Sequence, residues 1–439
     1  MKISTKFGSV LFIILFSYFL ILMDNSIIFT STVKIANDLG MNQSTLAWIS
    51  NAYTITFGGF LLLAGRLGDF LGRRRIFVIG LLIFGGASLA VGMANSAVMI
   101  ILARAIQGIG SAIIAPTSLA LLMDYYTGDM RSRAIAYYGA TAGIGSSFGL
   151  LLGGWLTSTI SWRAGFLINV PFAGLLLILT VLKVQTNVTV KKSVDYVGAV
   201  MSVILSVIFV YGISISNLWM IILAAGLIVP VIYYERRIKD PLIPMNLFVN
   251  RVRVSAYIVR FIFMMAMLTY WFILPQIMQQ MYHFSPLQSG MGFLPLTIVN
   301  FIAALYLPRL SVKISNHKIM LLGQSILLLG VLISAISEPQ LGYWTTMGLP
   351  MILIGIGQGW LLAPLTAAGI YQVDAKDAGA ASGMTNVMHQ LGGPVGLSVV
   401  VLFTAKIVNL TAYYHVVMMF ISGFLLVGLV ILIAVHEKR

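Results

Sequence analysis

Apolar residues run along this chain in blocks too long for the strands of a barrel and too continuous for surface helices. A spanning helix needs about 20 consecutive apolar residues. Fourteen stretches meet that need: residues 8–33, 45–65, 76–94, 97–123, 134–158, 164–183, 195–215, 217–235, 254–280, 286–308, 318–337, 342–369, 378–406 and 412–434. Barrel strands would alternate over about 10 residues each, whereas these runs are longer and rich in glycine. The pattern predicts an all-α integral membrane protein with fourteen transmembrane helices and short loops that leave no room for a soluble domain.

Two polar connectors, residues 183–194 and 235–253, bracket one helix pair. Six spans stand on either side of it. The expected organisation is an N-terminal six-helix bundle (1–185), a linker with a two-helix insertion (186–240), and a C-terminal six-helix bundle (241–439). Residues 65–75 hold Arg66, Asp69, Arg73, Arg74 and Arg75 between two apolar runs. Charges so placed cannot lie in hydrocarbon, so this stretch is a short aqueous turn. Arg309, Lys313, His317 and Lys318 occupy the matching place in the second half. The repeat is thus visible in hydropathy and only faintly in sequence.

Composition sharpens this. The chain is 59% hydrophobic and 9% charged, where soluble domains carry roughly 25% charged residues. The net charge of +15 would fit nucleic acid only as a basic stripe on a folded face; here the basic residues sit in loops, and no nucleic-acid partner is expected. With both termini cytoplasmic, 22 of the 27 Lys and Arg fall on the inner side. Lys34, Arg163 and Lys406 fall outside, and Arg104 and Arg260 lie within spans. That asymmetry follows the positive-inside rule and predicts a multi-pass protein of the cell membrane, with the lipid bilayer as its surroundings. Lys2, Lys6 and the following apolar run resemble a signal peptide, but the run continues past Asp24 without a small-residue cleavage site and reads as a retained first helix.

The absence of cysteine rules out disulfides and thiol chemistry. Five scattered histidines, no HExxH and no GxxxxGK[ST] leave no nucleophile with its base, no metal cluster and no nucleotide-driven pump. The expectation is a protein that is not an enzyme and needs no metal or cofactor.

Ionisable groups inside a membrane are functional candidates by default. Asp24 is the one acidic residue well inside an apolar run; Asp124 and Glu235 stand at helix ends. At 1.5 Å per residue, Asp24 lies about 14 Å and Arg104 about 10 Å from the outer ends of their helices, so the two are expected at similar depth, sharing an aqueous cavity. Burial disfavours a carboxylate and a nearby guanidinium favours it, which makes Asp24 a candidate proton carrier and a partner for a cationic substrate. The competing reading is a structural Asp that fixes helix packing. His389, about 16 Å into its helix, is either part of a proton route or a satisfied interhelical histidine. Arg260, near the inner end of its span, is expected to snorkel. Gly139, Gly143, Gly145, Gly149, Gly153 and Gly154 fall on one helix, and spacings of four allow a tight crossing. Pro116, Pro171, Pro275, Pro295, Pro364 and Gly393-Pro394 mark expected kinks.

Taken together, these residues resemble the major facilitator superfamily. Gly65, Leu67, Asp69, Gly72, Arg73, Arg74 and Arg75 are similar to its signature loop between helices 2 and 3, and Arg104, Gln107, Gly108 and Gly110 to its helix 4 motif. The extra central helices and the stretch Met23-Asp24-Asn25-Ser26 resemble its fourteen-helix drug:proton antiporter branch. The resemblance implies that Asp69 caps a helix of the opposite bundle and that Arg73 pairs with Asp124 in a conformational latch. It implies that Asp24 is the protonation and substrate-charge site, tuned by Arg104. It also implies that Gly145, Gly149, Gly153 and Gly154 belong to the antiporter motif of helix 5. Ser146 and Leu150 stand where that motif carries prolines, Phe70 where the signature loop carries a basic residue, and His389 where the branch often has Arg. The expected function is proton-coupled efflux of lipophilic, positively charged drugs or toxic compounds by alternating access, driven by the proton gradient and carried out by a monomer. The alternative is secondary transport of an endogenous lipid or metabolite.

Overall fold

The computed structural model describes residues 7–185, 195–238, 241–374 and 377–435. Most of the 183–194 connector, and residues 239–240 of the second, lie outside them. Among the described residues there is no strand, and fourteen helices are long and apolar enough to span a membrane. They are α1 Ser9–Leu39, α2 Gln43–Leu71, α3 Arg73–Gly92, α4 Ala97–Tyr125, α5 Gly128–Thr159, α6 Trp162–Lys183 and α7 Tyr196–Ser214, then α8 Leu218–Arg237, α9 Arg251–Met281, α10 Pro286–Ser311, α11 Asn316–Ile336, α12 Trp344–Gly369, α13 Ala378–Thr404 and α14 Leu410–Ala434.

Helices are obligatory here because hydrocarbon offers no partner for backbone N–H and C=O groups. Their ends are set by local chemistry beyond the reach of hydropathy. Helix α1 runs six residues past the expected limit at 33 and stops at Gly40, which takes the left-handed conformation (φ 62°). Asn42 starts α2 by accepting the Thr45 N–H at 2.8 Å, and Ser96, Ser161, Asn217, Ser315 and Asn409 cap later helices in the same way. Pro116, Pro275, Pro364 and Pro394 lie inside helices. Near Pro171 helix α6 is interrupted, at Ile168, and near Pro295 α10 is interrupted between Met291 and Leu294.

The chain forms two compact units, Met1–Ile204 and Leu205–Arg439, with the border inside α7. In the first, α1 packs on α5, α2 and α3 pack on α4, and α6 packs on α3 and α1. The second repeats this pairing with each number raised by eight: α9 on α13, α10 and α11 on α12, α14 on α11 and α9. Two six-helix bundles of one design therefore underlie a sequence whose repeat is barely visible. The core of the first is apolar and aromatic, with Ile13, Ile14, Ile27, Phe77 and Phe84 fully buried. Large apolar side chains such as Trp219, Val229 and Ile302 are left exposed on the outside of the helices.

Candidate functional site: a buried ion pair and a charged turn

Close helix approach creates the first site. Gly149 and Gly153 press α5 onto α1, so that a Cβ on Gly153 would stand 2.8 Å from the Ile27 backbone and one on Gly149 would overlap the Met23 carbonyl. Gly145 faces Leu22 in the same row, and Gly154 is buried beside it. On α4, Gly108 abuts the Tyr53 carbonyl of α2 and Gly110 abuts the Phe84 backbone of α3. Glycine is needed at these points because any side chain would push the helices apart. The five contacts hold α5 against α1 and α4 against α2 and α3, and polar groups from α1, α3, α4 and α6 meet between them.

Arg104 Nη1 donates to Asp24 Oδ2 at 2.7 Å, and both side chains have zero exposure. Gln107 Nε2 and Asn169 Nδ2 donate to Asp24 Oδ1 at 2.9 and 2.6 Å. Arg104 also donates to Gln107 Oε1 at 2.7 Å and to the Ile49 carbonyl at 3.3 Å. Gln107 Nε2 reaches Ser88 Oγ at 2.8 Å, and Ser88 donates to the Phe84 carbonyl. The guanidinium lies over the Tyr53 ring, 4.1 Å from its centroid, and Phe166 stands 5.7 Å away.

Burial of two isolated charges costs on the order of several kcal/mol each, and the pairing and these hydrogen bonds offset it, although Arg104 Nη2 and Asn169 Oδ1 are buried without a partner. The similar depth expected of Asp24 and Arg104 is a direct contact in the structure. Neither side chain has exposed surface, and Tyr53 and Phe166 stand against the guanidinium. The carboxylate ties α1 to α4 and α6, as the structural reading of Asp24 expects.

Sequence reasoning missed Asn169 and Ser88. Neutral polar residues in apolar helices carry little signal, and Asn169 meets Asp24 across 145 residues of chain.

The second site is the charged turn. Gly72 joins α2 to α3 with φ 93°, which only glycine adopts without strain. It aims Arg73 back across the bundle, where Nη1 donates to Asp124 Oδ1 at 2.5 Å and to the Ala120 carbonyl at 2.8 Å. Its Nε and Nη2 reach Asp69 Oδ1 at 3.2 and 3.0 Å. Gly65 is roomier, with Pro116 3.9 Å from where its Cβ would stand. Arg74 donates to the Val181 carbonyl, and Arg131 to those of Met123 and Tyr126. These arginines do more than set topology: they cap the C-terminal ends of α4 and α6, where free carbonyls attract cations.

At the far ends of the same helices, Asp38 accepts from Arg163 at 2.5 Å and from the Trp162 indole at 3.1 Å, and Arg163 also reaches the Ala94 carbonyl at 2.9 Å. In the sequence Arg163 counts only as an outer charge; its ties to Asp38 and Ala94 come from tertiary contact.

In the second unit, Gly392 and Gly396 of α13 press on the backbone of Phe261 and Met265 in α9. His389 lies one turn away, its Nδ1 buried without a hydrogen-bond partner. It feels the charge of Arg260. Arg260 does not snorkel as expected: it is 8% exposed and donates to the Leu362 carbonyl at 3.0 Å, which satisfies part of its guanidinium inside the bundle. A cavity of about 450 Å³ is lined by Asn246, Asn250, Arg253, Gln372 and Asp374. Arg253 spends its donors there on the carbonyls of Asn246, Leu247, Tyr371 and Gln372, and so clamps an elbow of the chain.

The structure thus joins a duplicated six-helix bundle, a basic glycine turn and a buried ion pair. The sequence profile of the Major Facilitator Superfamily matches residues 14–397. The puromycin resistance protein pur8 of Streptomyces alboniger is 32% identical over 416 residues, covering 88% of this chain and 80% of its own. The cephamycin export protein CmcT of Amycolatopsis lactamdurans is 32% identical over 406 residues, covering 89% and 83%. The crystal structure of the peptide transporter POT in complex with sulfate superposes with a TM-score of 0.75 at 16% identity, over 99% of this chain and 95% of that one. The chain belongs to the major facilitator superfamily: it is a multi-pass membrane transporter and not an enzyme.

Proposed function

We propose that this protein exports lipophilic, positively charged compounds from the cell in exchange for protons. The observation that carries this reading is the Asp24–Arg104 pair, joined at 2.7 Å with neither side chain exposed. A buried carboxylate is kept charged by its guanidinium partner, and a proton that binds it removes the charge that holds that partner. A cation meets the Asp24 charge only after Arg104 has turned away, so proton and substrate cation compete for one carboxylate. That competition enforces exchange: the outer proton expels the cation, and loss of the proton to the cytoplasm readies the site again. The names of the relatives, a puromycin resistance protein and a cephamycin export protein, support outward movement of antibiotic-like compounds.

In this reading Asp24, Arg104 and Gln107 form the coupling site, His389 serves the route in the second bundle, and Asp69, Arg73 and Asp124 latch one conformation. The two bundles (1–185 and 241–439) alternate access around the 186–240 insertion. Both termini are cytoplasmic, the protein works as a monomer in the cell membrane, and no cofactor takes part.

The test is efflux of ethidium, a fluorescent lipophilic cation, from proteoliposomes under an imposed pH gradient. Wild type should transport with the gradient and Asp24→Asn should not. Equal transport by both removes Asp24 from the coupling. No transport by a folded wild type turns the reading towards an endogenous lipid or metabolite.

A further inference from the structure

Three side chains donate to Asp24, and they differ in what they can do when the carboxylate becomes an acid. Arg104 has donors only, so it can never accept the acid's hydrogen. Gln107 is pinned: its Oε1 accepts from Arg104 at 2.7 Å while its Nε2 serves both Asp24 and Ser88. Turning its amide over would set donor against donor. Asn169 is under no such constraint. Its Nδ2 faces Asp24 Oδ1, and its Oδ1 is buried with no hydrogen-bond partner.

The contact, at 2.6 Å, is within hydrogen-bond reach for an amide N–H on a carboxylate and for a carboxylic O–H on an amide oxygen, the latter ranging over about 2.5–3.0 Å. The two forms differ by a half-turn of the carboxamide, which changes no packing. Near Pro171, α6 is interrupted at Ile168, so Asn169 opens the second segment of that helix rather than sitting in its middle.

We infer that Asn169 is a positioning residue of the proton site, whose amide donates to Asp24 while it is charged and, turned over, accepts the hydrogen of the protonated acid. This rests on Asp24 as the coupling site. The proton that arrives goes to Asp24 Oδ1 and is held between that oxygen and Asn169 Oδ1, while Arg104 keeps Gln107 Oε1, the Ile49 carbonyl and the Tyr53 ring. Asp24 Oδ1 then has an Asn169 partner in both protonation states without backbone movement, while the other end of the Asn169 amide stays unpartnered in each. The charged or titratable groups around Asp24 are Arg104 from α4 and Tyr53 from α2; α3 brings Ser88, α5 brings glycines and α6 brings Asn169.

The experiment measures gradient-driven ethidium efflux against pH in proteoliposomes of the full chain, for wild type, Asp24→Asn, Asn169→Leu and Asn169→Asp. The leucine keeps the branching and the number of heavy atoms, though it is bulkier, and removes both hydrogen bonds. The bond to the charged form is the stronger of the two, so its loss should make Asp24 hold a proton at least tenfold tighter, moving the midpoint up by about one pH unit or more. Asn169→Asp keeps size and polarity, guards against a folding defect in the leucine variant, and places a second carboxyl against Asp24. The midpoint should rise further, because two carboxylates in contact cannot both ionise. A lower rate at an unchanged midpoint in both variants would make Asn169 a packing residue and overturn the inference. Gradient-driven efflux that survives in Asp24→Asn would instead defeat the coupling reading itself, before either Asn169 variant is considered.

Discussion

Gly149 of α5 lies flush against the carbonyl of Met23, the residue before Asp24, so the helix with the glycine row directly supports the segment that presents the buried carboxylate. The spacing of Gly145, Gly149 and Gly153 is one residue every four, which keeps them on one face. Each touches α1 at successive turns, and the crossing is as tight as two backbones allow.

Gly149→Ala should therefore lower stability by about 1–3 kcal/mol, the usual cost of overpacking, and should lower efflux with it. Gly139, on the same helix, has open space where its Cβ would go. Gly139→Ala should be neutral or stabilising by up to about 1 kcal/mol, from helix propensity. Thermal inactivation midpoints in detergent separate the two; equal loss in both would show that the crossing contributes nothing.

The Asp24–Arg104 pair should behave as a unit. Arg104→Gln alone leaves a buried carboxylate without its counter-charge and should destabilise by about 3–5 kcal/mol. Adding Asp24→Asn should restore most of that loss, since two neutral amides can replace the pair. Neither variant should couple transport to the proton gradient. A double variant as unstable as Arg104→Gln would mean that the network is held by Arg104 contacts other than Asp24.

The two signature-loop glycines should part company. Gly72 sits at φ 93°, so Gly72→Ala should cost about 1–3 kcal/mol in backbone strain and displace Arg73. Gly65 has an ordinary van der Waals distance to Pro116, and Gly65→Ala should fold and transport almost normally. The check is the same thermal midpoint together with ethidium efflux.

At the turn itself, Arg73 and Asp124 are each about a quarter exposed. Asp124→Asn should thus cost no more than about 1 kcal/mol of stability. Efflux should fall far more than that, by tenfold or greater, if the pair latches a conformation rather than holding the fold. A variant that is stable and transports at the wild-type rate would end the latch reading.

The fourteen helices were legible because lipid forces one element type and one length on each span. The Asp24–Arg104 contact was half legible: counting residues at a fixed rise placed both at one depth, although not side by side. Arg73 with Asp124 came only through family resemblance, since nothing in local sequence says which acid a loop arginine will meet. Asn169 was invisible for a different reason. A charge in an apolar run is conspicuous because it is costly, whereas an amide there is ordinary, and its orientation depends on where a broken helix resumes. The repeat between bundles was legible in hydropathy and faint in residue identity, because pairing of helices survives almost any change of lipid-facing side chain.

Helix α3 is fastened at three heights. Arg73, its first residue, holds Asp124; Ser88 receives Gln107 from the central network; and Ala94, just past its last turn, receives Arg163. The first bundle is therefore a braced truss, in which no helix slides along its neighbours without breaking a charged or buried bond. Through α3 the network around the Asp24 carboxylate is joined to bonds at both rims of the bundle.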